Sequence, residues 1–447
     1  MLIGKNDNTH QHPLRSQRDK DNKPYSHYSA IAAPAGDNNG QVTEEEMTLY
    51  SRRNVLATSA AGSLAAAAAV SGATAEPYSA AASDPGPHDP AQEAVNPYDW
   101  QPLPTDHGNL GTLRHSFSQV HNRHTDAGWA REVTVRNFPI AKNMAGVNMR
   151  LPAGAVRELH WHVPAEWAFV TYGSGRITAV DPAAQKFIAD VKAGDLWFFP
   201  GGVPHSIQGL GPDGCEFILV FNDGNFSEDS TFLITDWFNH TPKDVLAKNF
   251  GVPASTFDNS NRKDLWIFNA PMPGSLAEDL AQSKQPFVPN PYAFSLGDQK
   301  PVFASAGGSV RIADSENFKA TTMAAALVEV APGGMRELHW HPNSDEWQYY
   351  ISGTARMGVF HGEGRNNTVE FHPSDVGYVP QSIAHYVENV GNDTLRFLEV
   401  FTTARYADIS LASWMNNVPH ELVAAHLNID ISTLQKMAQT KTPVVPI

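Results

Sequence analysis

With one cysteine, Cys215, in 447 residues, the chain has no intrachain disulfide. Its fold must rest on buried cores, which a chain of this length can supply in two ordinary domains without covalent staples. Long apolar runs are also scarce. After Ala75 no stretch is apolar for long enough to cross a bilayer, which takes about 20 residues, so no membrane is expected around the mature form. Charged residues make up only 18%, and basic ones are the scarcer kind, 32 Lys and Arg against 47 Asp and Glu, for a net charge of −15. That balance argues against nucleic acid as a partner. It also means that a small anionic substrate would need positive charge gathered locally at its site. What the chain has in quantity is proline (32), glycine (33) and aromatics (10%), a composition of strands and loops rather than long surface helices.

The N-terminal stretch reads as an address. Ser51-Arg52-Arg53-Asn54-Val55-Leu56 precedes an alanine-rich apolar run that ends in Ala73-Thr74-Ala75. A basic pair, a moderately apolar segment and a small-x-small cleavage site are the parts of a twin-arginine signal. Met47 lies just upstream, so residues 47–75 are expected to be the signal peptide and residues 1–46 a mis-called start or a disordered extension. Export to the periplasm or beyond follows as an expectation.

Past the signal, one unit is written twice. LPAGAVRELHWH at 151–162 returns as VAPGGMRELHWH at 330–341, so Arg157, Glu158, His160 and His162 recur 179 positions later as Arg336, Glu337, His339 and His341. Glu166, Pro200 and His205 recur 180 positions later as Glu346, Pro380 and His385, and Trp237 and Pro242 recur as Trp414 and Pro419. A period this long means duplicated domains. Inside each copy, runs such as EWAFVTYGSGRITAV and CEFILVFNDG are short, aromatic and β-branched, and are bounded by turn residues. They predict an all-β sandwich or barrel. Each copy closes on a helical patch. Thr241 with Pro242 reads as a helix start, Pro419 starts the matching segment, and Ser432 with Gln435 has capping-box spacing. The expected layout is an N-terminal arm at 76–130, a first domain at 131–258, a linker and arm at 259–309, and a second domain with C-terminal helices at 310–447.

Alternate residues of a strand share a face, so His160 and His162 point together while Trp161 faces away. Glu166 opens the next strand, and His205 follows 39 residues after it; the second copy repeats the set as His339, His341, Glu346 and His385 with the same 39-residue interval. A lone HxH is more often an incidental pair than a ligand set. Two copies with the same four residue types predict two metal sites. Three imidazoles and one carboxylate with positions left open suit an octahedral ion such as Mn or Fe better than a closed tetrahedral zinc, and spacing does not choose between the two.

Those residues, with Gly154, Gly173, Gly194, Pro200 and Gly202, resemble the two motifs of the cupins. The resemblance implies two double-stranded β-helix, jelly-roll-like barrels. The second copy departs by Ser382 in place of Gly202 and by Asp375 where Gly194 aligns, which puts loop geometry in question. Over residues 95–445 the chain resembles the bacterial oxalate decarboxylases of the bicupin family: RELHWH occurs twice, FNDGNFSEDSTFLITDWFNHTP resembles their active-site lid with Ser227–Thr231 in the lid position, and FLEVF puts Glu399 near the second site with Tyr406 close behind. The resemblance implies two Mn ions per chain, dioxygen as co-catalyst, oxalate as substrate and a trimer or hexamer. It implies Glu228 as the proton carrier, Arg157 as the group that holds and polarises the substrate carboxylate, Arg336 in the matching position and Glu399 beside the second ion, with Glu158 and Glu337 in supporting roles. Oxalate oxidase, which would share every ligand and yield peroxide, and a non-catalytic bicupin binding protein are the alternatives.

Overall fold

The apolar runs of the central strands are nearly continuous because their sheets are buried on both faces. In the computed structural model, which describes residues 89–261, 263–437 and 440–446, the strand Glu166–Val180 turns Ala168 and Val170 into the interior of the first barrel. Trp167 and Phe169 of the same strand face a separate core shared with the second barrel. Cys215–Phe221 divides likewise, with Phe217 and Leu219 inward and Ile218 and Val220 toward the partner barrel. In the second copy Tyr350 lies inside, and Trp347 and Tyr349 meet the first barrel. Three cores result, one inside each barrel and one between them. The all-β, two-barrel architecture expected from the sequence is the one observed.

The repeat is visible in the pairing. Ala145–Leu151 runs antiparallel to Cys215–Phe221, as Ala325–Val330 does to Leu395–Phe401. The barrels also exchange edges: Arg114–Ser116, ahead of the first barrel, pairs with Asp375–Val379 of the second. Ala293–Phe294, ahead of the second, pairs with Leu196–Phe199 of the first. Each segment covers an open sheet edge of the other copy, and Arg114 seals one crossing with an ion pair to Asp375 at 3.1 Å.

Space in the shared core is tight. A Cβ added at Gly146 would run into the indole of the fully buried Trp347. Gly146→Ala is therefore expected to destabilise the protein by about 1–3 kcal/mol through overpacking. Denaturant unfolding would measure this, and an unchanged midpoint would contradict it.

Short helices follow each barrel, Ile234–Asn239 with Lys243–Phe250 and Leu411–Asn416 with His420–Leu427. Two capping details differ from the sequence reading. The Thr241 hydroxyl donates back to the Trp237 carbonyl at 2.8 Å, and Pro242 occupies the cap position. The helix Ile431–Leu434 starts at Asp430, so Ser432 lies within it. The departures from the cupin glycines also resolve. Ser382 adopts the left-handed conformation (φ 65°) that Gly202 takes at 77°. The residue standing where Gly194 does is Ser374 (φ 75°) rather than Asp375, since Asp195 and Asp375 accept from the backbone N–H of Lys192 and His372 in the same way. Both turns keep their shape, at the cost of strain at two serines. The extension at 1–46, the signal segment at 47–75 and the beginning of the arm lie outside the described residues.

Candidate metal centres

Strand Ala155–Trp161 delivers His160, with His162 just past its end. Glu166 begins the next strand and His205 begins His205–Gly209, directly opposite His160 in the ladder. Ligand atoms of the four residues lie within 4.8 Å of one another, and all four side chains are buried; His339, His341, Glu346 and His385 form the same cluster in the second barrel.

Hydrogen bonding fixes which atoms face the centre. The Nδ1 atoms of His160, His162 and His205 meet the backbone carbonyls of Glu158, Pro164 and Val203 at 2.5, 2.7 and 2.8 Å. Those of His339, His341 and His385 meet the carbonyls of Glu337, Ala407 and Ile383 at 2.6, 2.8 and 3.0 Å. A carbonyl only accepts, so each Nδ1 carries the proton and each Nε2 presents a lone pair inward. Burial, reinforced by the nearby Arg157 and Arg336, holds His160 and His339 well below the usual imidazole range, in the neutral form that ligates metals. The Nε2 atoms of His205, His339, His341 and His385 and Oε2 of Glu346 are buried without an aligned hydrogen bond, those of His341 and His385 crowding that oxygen at 3.1 and 2.8 Å. Buried lone pairs left unsatisfied are costly, and a shared cation satisfies all of them. The donor set therefore fits a divalent metal at each site.

The two glutamates are held by different donors at one place in the sheet. Trp197 Nε1 donates to Glu166 Oε1 at 2.8 Å, and Gln348 Nε2 donates to Glu346 Oε1 at 2.7 Å. Trp197 pairs across the sheet with Ala168, while Gln348 pairs with Gly377. The donor has moved from one strand to its neighbour, and the glycine vacates the space the longer side chain needs. Either way one carboxylate oxygen is occupied and the other is left for the ion.

The arginines reach the same side as the histidines through a β-bulge. Arg157 pairs with Ile207 and His160 with His205, so three residues on one strand match two on the other; Arg336 and His339 repeat the irregularity. Without the bulge, a strict two-residue period would put Arg157 and His160 on opposite faces.

Beyond that point the copies diverge. Arg157, 1% exposed, donates from Nη1 to the Trp266 carbonyl at 3.3 Å, and its Nη2 lies 3.0 Å from Glu228 Oε2. That Nη2 is out of hydrogen-bonding alignment and so remains available as a donor. Glu228 begins a 3₁₀ turn capped by Ser227 and is itself buried; Trp266 Nε1 donates to its Oε2 at 2.9 Å, and its backbone N–H donates to Glu132 at 2.8 Å. Phe226, at the root of this loop, packs against the His162 ring. In the second barrel each of the three Arg336 nitrogens is engaged, donating to Glu399 at 3.3 Å, Tyr406 at 2.8 Å, Asp408 at 2.7 Å and the Pro443 carbonyl at 3.3 Å. Tyr406 donates in turn to Glu399 at 3.2 Å. Burial lifts the Glu399 carboxyl above the ordinary glutamate range despite Arg336.

The expected supporting roles of Glu158 and Glu337 take specific form. Glu158 accepts from the backbone of Thr235, Leu265 and Trp266 at 2.9 to 3.1 Å, pinning both segments that carry the Glu228 surroundings, and Glu337 accepts from the Ser410 hydroxyl at 2.5 Å. Trp197, Gln348, Trp266 and Asp408 were not read from the sequence. No motif marks them, although the lone indole in the linker stretch NRKDLWIFN was a signal that could have been weighed.

Asp408 gives a test in pH. Burial would raise its carboxyl, but Arg336 and Lys441 outweigh burial and hold it at about 2, against an ordinary 3.8. A depressed folded value stabilises above the unfolded one, so about 2 kcal/mol is present above pH ~4 and lost as pH falls toward ~2. Asp408→Asn is expected to lower stability at pH 6 and to flatten that acid limb in denaturant titrations. A mutant limb as steep as the wild type would contradict the assignment.

Comparison with known proteins agrees with this geometry. Residues 116–257 and 294–435 each match the Cupin family. The oxalate decarboxylase of Bacillus subtilis (strain 168) is 51% identical over 360 residues, 80% of this chain and 93% of that protein. A probable oxalate decarboxylase of Arthroderma benhamiae is 38% identical over 349 residues, 76% of this chain and 85% of that one. A solved structure of the Bacillus subtilis enzyme, from work on its Mn(II) centres, superposes with a TM-score of 0.78 at 51% identity, covering 80% of this chain and 95% of that one. The chain belongs to the bicupin oxalate decarboxylase family.

Proposed function

We propose that the protein is a manganese-dependent oxalate decarboxylase, converting hydrogen oxalate to formate and carbon dioxide with dioxygen as co-catalyst. One observation carries the assignment of chemistry to the first barrel. Beside His160, His162, Glu166 and His205 stands a buried arginine with a donor still unsatisfied, and next to it a buried carboxylate. When bound, manganese supplies the redox-active electron sink that oxalate lacks. The remaining work belongs to the chain. Arg157 turns its free Nη2 to a substrate carboxylate, and charge-assisted bonding in a dry site orients and polarises it. Glu228 takes the proton from the free carboxyl as the carbon–carbon bond weakens. After carbon dioxide leaves, it returns that proton to carbon to complete formate. Atoms balance, and the overall step is redox-neutral. In the second barrel Glu399, Tyr406 and Asp408 occupy the arginine, which argues for a supporting role there.

The deciding experiment is a product assay on the manganese-loaded protein. Formate with little peroxide is expected; stoichiometric peroxide without formate would make it an oxalate oxidase, and metal-free, inert protein a binding barrel.

The twin-arginine pattern around Arg52-Arg53 further supports export, by a route that carries folded cargo and so permits metal loading inside the cell. Assembly into trimers or hexamers is supported by apolar side chains left exposed on the helices after both barrels, Trp237 and Phe250 on one, Trp414, Leu422 and Leu427 on the other. N-terminal sequencing of the exported protein and native mass measurement test the two readings; a mature chain retaining residues before Ala75, or a monomer, would overturn them.

A further inference from the structure

We infer that Arg123, reaching in from the segment ahead of the first barrel, latches the Glu228 loop shut, and that this latch sets the share of turnovers ending in formate. The second half of that statement rests on the decarboxylase reading; the first does not.

Arg157 is 1% exposed and the four ligands of the first centre no more than 3%, so oxalate enters only if a covering segment moves. The Glu228 loop is that cover. A cavity of about 260 Å³ lies on its far side, lined by Glu228, Asp229, Glu132, Arg123 and Trp266. The inner face of the cover is held by Arg157 and by the Trp266 indole, both on Glu228 Oε2. Arg123 touches the cover directly at one point and braces it through Trp266 at another. Its guanidinium lies 3.8 Å over the ring of Trp266, and its Nη1 donates to Asp229 Oδ1 at 2.9 Å. Asp229 is 85% exposed on its side chain, so that ion pair is weak. Stacking on an indole only 3% exposed is the stronger contact. Arg123 thus braces the residue that holds Glu228 and ties down its neighbour in the chain.

The second barrel provides an internal control. Thr125 pairs with Gly128 as Ser305 pairs with Gly308, so Phe303 occupies the position of Arg123. Glu158 N–H donates to the Trp266 carbonyl as Glu337 N–H donates to that of Pro443, so Pro443 occupies the position of Trp266. Between the strand ending at Phe401 and Ile409 the loop is three residues shorter than between Phe221 and Phe232, and its buried carboxylate, Asp408, is held by Arg336 and Lys441 rather than by an arginine and an indole. Guanidinium and indole are present together in one copy and missing together from the other, as parts of one device would be.

Arg123 is a positioning residue, so the test joins a structural readout to a chemical one. In the manganese-loaded full chain, Arg123→Ala is expected to speed hydrogen exchange of the amides at 226–233 by about tenfold, in keeping with a half-buried cation–π contact. The peroxide-to-formate ratio should rise by a similar factor without an increase in KM for oxalate. Arg123→Lys should fall between wild type and alanine, and Asp229→Asn close to wild type. Exchange and product ratio both within twofold of wild type in Arg123→Ala would overturn the latch. Amides of Cys215–Phe221 report whether the barrel is intact, and if the alanine variant loses them, Arg123→Lys decides by the same two readouts. Wild-type protein that makes no formate would defeat the decarboxylase reading, while the exchange measurement would still judge the latch.

Discussion

Glu228→Gln is expected to lower formate production by about a hundredfold or more, the usual cost of losing a positioned proton carrier. Glutamine keeps the shape and can still accept from the Trp266 indole, which now bonds the carboxylate at 2.9 Å, but it cannot take up and return a proton. The same substrate fragment is then diverted: oxalic acid and dioxygen give two carbon dioxide and one hydrogen peroxide, so peroxide should rise as formate falls. Glu228→Ala should show a similar loss with an added penalty, because it leaves the buried Arg157 without its 3.0 Å counter-charge. Formate and peroxide measured together on both variants check the claim. Formate within tenfold of wild type in Glu228→Gln would move the proton step elsewhere, and Glu132, half-buried beside the Glu228 backbone with its carboxyl raised by burial and by the neighbouring Glu228 charge, would be the next group to test.

The ligand sets were legible because two regularities coincide. A strand's two-residue period aligns His160 with His162, and duplication repeats the pattern with the same interval to His205 and His385. The two-sided burial of the central strands was also visible, in runs such as CEFILVF that do not alternate. Arg157 shows where such reading stops. Its place beside His160 depends on a bulge, and nothing in RELHWH marks the extra residue. Trp266 and the edge strand at Ala293–Phe294 were hidden for another reason. Their partners are distant in sequence (Glu228, and the strand at Leu196), and non-local pairing leaves no periodic trace. The Trp197-to-Gln348 exchange makes the same point from the other side: one function, donation to the metal-binding carboxylate, survives on different strands, so comparison of the copies position by position does not find it.

The two cages carry the same four ligand types, but the arginine of each takes a different part. Arg157 keeps a donor in reserve; Arg336 is 0% exposed and spends its donors on Glu399, Tyr406, Asp408 and a carbonyl. Arg336→Met is therefore expected to act first on stability. Removing one member of a buried charged network leaves Glu399 uncompensated and Asp408 with Lys441 alone, a loss of about 3–5 kcal/mol. The first barrel suggests the repair. By strand register Leu219 stands where Glu399 does, and its site carries no such network. Adding Glu399→Leu to Arg336→Met replaces the stranded carboxylate with an apolar side chain, which should recover at least half of the lost stability, since swapping a buried ion pair for packed apolar groups is often neutral. Denaturant unfolding of the two single variants and the double variant forms a complete cycle. Losses that simply add would show that Arg336 and Glu399 do not depend on each other, and that Asp408 and Tyr406 alone hold the arginine.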